Sequence, residues 1–162
     1  MAYRSTSCEG FAYLWTLMLV AFMGVGLVIA SEVYTTSVRR DKERELLFIG
    51  HEFRTAIEHY YKAGAGGPAV YPQTLEQLVR DPRFPNPRRH LRRIYADPIT
   101  GKKEWGTVLV QGRIVGVYSL SQQAPVKQDN FEPSDTSFRL KPRYADWTFV
   151  YPFDMFTAPK PN

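Results

Sequence analysis

Proline is missing from the first 67 residues; all twelve prolines stand at Pro68 or later. A helix in that stretch therefore meets no residue that removes a ladder donor and clashes with the preceding turn. Charge is missing from residues 11–31, a run in which only Thr16, Gly24, Gly26 and Ser31 interrupt apolar and aromatic side chains. Cysteine is down to Cys8, which excludes an internal disulfide and a thiolate metal cage. That cysteine also precedes the apolar run, whereas a lipoprotein cysteine would follow one. Catalytic patterns are absent as well: no glycine-flanked serine elbow, phosphate loop or paired-histidine motif occurs. His51 and His59 lie eight residues apart, too far to share one metal ion without other ligands. The chain reads as a non-enzyme.

What is present begins with length. Twenty-one uncharged residues at ~1.5 Å rise give roughly 32 Å of helix, enough for the ~30 Å hydrocarbon layer of a bilayer. A secretory signal would be shorter and would end in a small-residue cleavage site, whereas more helix follows residue 31. Positive charge gives a contrary hint about orientation, because Arg4 stands alone in front while Arg39 and Arg40 follow. Beyond them, Leu46, Ile49, Phe53, Ile57 and Tyr60 recur at steps of three and four, one apolar stripe that needs cover. The acids and bases of residues 43–58 read as the wet face of the same helix. Glycines and Pro68 end it.

Roughly a hundred residues remain, room for a small domain that leans on the helix for part of its core. Thr74-Leu75-Glu76-Gln77 has the capping-box pattern and predicts a short helix. Asp97-Pro98-Ile99-Thr100-Gly101 predicts a turn closed by the aspartate side chain. Residues 105–110 and 113–120 predict two strands joined at Gln111-Gly112, and residues 145–151 a third after a long polar loop. The expected class is α+β, a long helix, first transmembrane and then amphipathic, on a small three-stranded antiparallel sheet.

Two clusters are candidate ligand sites. Asp129, Glu132, Asp135 and Asp146 offer the hard oxygen donors that calcium takes, although solvated acids are the commoner explanation of such residues. Arg88, Arg89, Arg92 and Arg93 form a basic run suited to phosphates of nucleic acid, with a solvent-facing loop or an acidic partner subunit as the plainer readings. The formal charge of +5 is too mild to decide.

The order of parts, from a polar leader ending in Gly10 through Phe11, the uncharged run and the long helix to a small sheet, resembles the type IV pilin and type II secretion pseudopilin family. Tyr71-Pro72-Gln73-Thr74-Leu75, with Arg92-Arg93-Ile94-Tyr95-Ala96-Asp97-Pro98, is similar to the helix–sheet bridge of the major-pseudopilin-like globular domain. The resemblance implies a leader at 1–10 cut by a prepilin peptidase between Gly10 and Phe11, with methylation of the new terminus. It implies a transmembrane half at 11–31, a periplasmic half of the helix at 32–62, a globular domain at 63–151 and an irregular tail at 152–162. Leu14, Trp15, Leu17, Val20, Gly24, Gly26 and Ile29 would serve membrane assembly. The implied protein is a minor or atypical pseudopilus subunit in the inner membrane, its domain periplasmic. Its implied partners are other pseudopilins, the assembly platform with its ATPase, and lipid, with no cofactor beyond calcium. A DNA- or surface-binding minor pilin and an unassembled, membrane-tethered periplasmic domain are the alternatives. The sequence departs from the family at Trp15, where the family usually has a glutamate.

Overall fold

The computed structural model describes residues 9–64 and 67–156, with the side chains of 9–11 and 26–33 outside that description. Helix α1 spans Glu9–Lys62, as the absence of proline allows. The chain divides into two compact units, Met1–Arg39 and Arg40–Asn162. The first contributes only helix to the described residues.

The expected transmembrane half is not found. Among the described residues no helix is long and apolar enough to cross a membrane. The single-pass inner-membrane location falls with the span. So do the readings built on it: the pseudopilus subunit, the minor pilin and the membrane-tethered periplasmic domain.

The α+β architecture of the second unit is as expected. Leu46, Ile49, Phe53, Ile57 and Tyr60 of α1 are all buried, which places the predicted stripe against the sheet. Strands β1 (Gly106–Val110), β2 (Arg113–Tyr118) and β3 (Thr148–Val150) form an antiparallel sheet in the order β1-β2-β3. The central strand carries the continuous apolar run Ile114, Val115 and Val117, each buried. Gln111 and Gly112 both have positive φ, 52° and 73°, the geometry that lets a two-residue turn follow the twist of its strands.

Local bonding shortens the predicted strands. β2 stops at Tyr118 because Ser119 turns its hydroxyl to Asp97 (2.7 Å) and accepts the N–H of Ser121 (3.1 Å). β3 starts late because Tyr144–Asp146 is a 3₁₀ turn, with Trp147 N–H donating to the Tyr144 carbonyl. A second 3₁₀ turn, Pro133–Phe138, lies within the segment expected to be a polar loop. It inserts Phe138, which stacks on Trp147 (centroids 5.5 Å apart, planes 7° apart) and meets Phe149 edge-on at 5.0 Å.

Helix α2 (Glu76–Val79) is shorter than its capping box suggested. Its N-cap is Leu75, with no side-chain capping bond. Gln77 instead reaches back to accept the N–H of Gln73 (2.8 Å) and the hydroxyl of Tyr60 (3.2 Å). Tyr71-Pro72 joins helix to sheet. The Tyr71 ring stacks on Tyr61 of α1, its carbonyl accepts from Arg113, and the Pro72 carbonyl accepts the N–H of Ile114.

Candidate interaction surface

The first unit presents an uncovered apolar helix. Tyr13, Leu14, Trp15, Leu17, Met18, Leu19, Val20, Phe22, Met23 and Val25 are each 48–67 % exposed. Residues 17–20 are consecutive, and successive side chains on an α-helix point about 100° apart, so the apolar surface runs all round the axis. A Cβ placed on Gly24 would meet nothing within 4 Å. Of the residues expected to serve assembly, Leu14, Trp15, Leu17, Val20 and Gly24 therefore share this uncovered segment. The side chains of Gly26 and Ile29 lie outside the described residues, as do those of Gly10 and Phe11 at the expected processing junction.

In the second unit, the charges that matter are buried, and the reading of residues 43–58 as a wet face is corrected at three positions. The Glu43 carboxylate is 3 % exposed and accepts the N–H groups of Val126 (2.5 Å) and Lys127 (3.2 Å) and the hydroxyl of Tyr144 (2.8 Å). His51 and Arg54, on the next turns of α1, both hold Asp135, at 2.5 and 2.8 Å. Burial alone would raise the Asp135 pKa; hydrogen bonds from His51 and Arg54 outweigh it and lower the pKa below the ordinary carboxylate value. Helical spacing cannot reveal these partners, which sit more than eighty residues away in the chain.

The four acids expected to suit calcium are placed apart by their partners. Asp135 is buried with His51 and Arg54, Asp129 pairs with Arg139 (3.1 Å), Asp146 pairs with Arg143 (3.0 Å), and Glu132 is exposed. Among the described residues no group of three or more histidines, cysteines or acids is placed to hold a metal ion.

The arginine-rich segment has a fixed frame. Asp81, 1 % exposed, accepts from Arg83 (2.7–3.2 Å) and from His90 (3.0 Å). Burial pushes the Asp81 carboxyl up, but these donors hold it at about 2. Burial lowers the His90 imidazole, more than the neighbouring carboxylate raises it. Arg83 lies 3.6 Å over the Tyr60 ring and donates to the Tyr60 carbonyl (2.7 Å), one of the last four of α1, which have no partner within the helix. The four predicted nucleic-acid contacts are all exposed, with Arg88 lying over Phe84 and Arg93 over Tyr95. A cleft of about 350 Å³ lined by His59, Lys62, Ala63, Arg88, Arg89 and His90 opens beside them, so Arg88 and Arg89 share one site that Arg92 and Arg93 do not line. No family model, curated protein or solved structure matches the chain.

Proposed function

We propose that the chain is a non-catalytic structural protein that self-associates through the apolar part of α1, which further copies of the chain cover. One observation carries this reading: ten large apolar or aromatic side chains of residues 12–25 are about half to two-thirds exposed. Covering a Leu, Met or Phe of this kind contributes about 1.5–3 kcal/mol, so the segment favours burial strongly. Because the apolar surface encircles the helix, several neighbouring helices suit it better than one flat partner. The open space at Gly24 gives a neighbouring backbone room to approach.

A structural role also fits the ionisable groups. Among the described residues Glu43, Asp81, Asp97 and Asp135 are the buried acids, and each accepts from at least two donors of the same chain.

The test is site-specific photo-cross-linking in the full chain. A photoreactive analogue at Met18 or Phe22 should give a ladder of adducts between copies, and the same analogue at Lys103 should give none. Monomer alone at all three positions would refute the proposal.

A further inference from the structure

We infer that the cleft between the end of α1 and residues 88–90 binds a phosphate-class oxyanion. Its lining is basic apart from Ala63: His59, Lys62, Arg88, Arg89 and His90. Lys62 is paired with Glu58, one turn earlier, and His90 with Asp81, whose charge Arg83 balances, so the permanent cations Lys62, Arg88 and Arg89 stand against the one carboxylate of Glu58. Arg44, Arg54, Arg83, Arg139 and Arg143 each have an acidic partner, whereas Arg88 and Arg89 ion-pair with no acid among the described residues.

The site is built rather than draped. The Arg88 carbonyl accepts the N–H of Asp81 (2.9 Å), forming an isolated β-bridge, and the N–H groups of His90 and Leu91 both donate to the Leu78 carbonyl (2.9 and 2.8 Å). The backbone carrying the arginines is thus pinned on both sides. The Arg88 side chain is steadied over Phe84, 4.9 Å from its centroid. The carbonyls ending α1 would repel an anion, but those of Tyr60 and His59 are taken by Arg83 and by the N–H of Ala63. Guanidinium groups suit phosphate because their planar forks donate two bonds at once. The volume of about 350 Å³ admits a phosphate or pyrophosphate group with part of the molecule attached to it.

The source of that phosphate, a small ester or a nucleic-acid backbone, is separated by experiment. The full chain is titrated calorimetrically with inorganic pyrophosphate and, separately, with a single-stranded oligonucleotide, at about 50 mM and about 200 mM salt. Saturable pyrophosphate binding that weakens with salt is expected. The double variant Arg88→Gln/Arg89→Gln should lose about tenfold or more, and Lys103→Gln should not change it. Both arginines are exposed, so circular dichroism should show the variant folded. Oligonucleotide affinity that grows with length and is lost in the double variant assigns the cleft to nucleic acid. Pyrophosphate binding alone assigns it to a small phosphate ester. Absence of saturable binding of either probe, or equal affinity in the double variant and the parent, overturns the inference.

Discussion

Two residues show how far single positions decide this fold. Gly50 lies within α1, where replacing glycine by alanine ordinarily adds about 1 kcal/mol of helix stability. Here a Cβ would fall 2.3–2.4 Å from ring carbons of Phe149, which is fully buried beside Phe138 and His51. Overpacking by about 1–3 kcal/mol outweighs the helix gain. Gly50→Ala should therefore lower the denaturant midpoint, and a raised midpoint would contradict this packing. Asp81 is the second case. Asp81→Asn removes the charge that balances Arg83 and should cost about 3 kcal/mol, read from the same unfolding curves. Asp81 sits in a loop that the sequence marks only as rich in arginine and proline. Its burial depends on Arg83 folding back over Tyr60, a contact no local pattern encodes.

Among the elements, the helix stripe and the hairpin were legible because period and turn chemistry are local. All five stripe positions are buried, and Gln111-Gly112 adopts the left-handed geometry its composition suggested. Asp97 behaved likewise: it accepts the N–H of Ile99 and the hydroxyl of Thr100, and Gly101 has φ 75°. The segment of residues 121–147 was not legible. Its polarity reads as loop, yet its aromatic residues are spaced to be inserted one by one: Phe131, Phe138, Tyr144 and Trp147 form a cluster of edge-on and stacked rings. Phe138→Ala should destabilise the protein by about 3–5 kcal/mol. Amide exchange should then rise first at Ala145 and Tyr144, whose N–H groups bond to Ser121 and Gln123 across the same segment.

For the whole molecule, acid should act in two stages. The folded pKa of His90 is lowered by burial, so its contribution is full above the ordinary histidine value of about 6.5 and is lost as pH falls through the folded value. Asp81, at about 2, and Asp135, also lowered, contribute fully above about pH 4 and lose that contribution as pH falls further. A plot of Tm against pH should show an upper step removed by His90→Gln and a lower step that remains; a single step in the parent would refute this assignment. The membrane reading shows where sequence reasoning stopped at this scale. An uncharged run sets only an upper bound on a span, and among the described residues no helix is long and apolar enough to cross a membrane.

Glu43 has a practical bearing on how the protein can be shortened. Its carboxylate holds the N–H groups of Val126 and Lys127, and it is the fourth residue of the unit that starts at Arg40. A fragment opening at Arg40 keeps that clasp, whereas one opening at Arg44 discards it and takes this acceptor from the Val126 and Lys127 amides. Expression trials that trim the chain by a handful of residues on either side of this point should divide sharply between well-behaved and aggregating material.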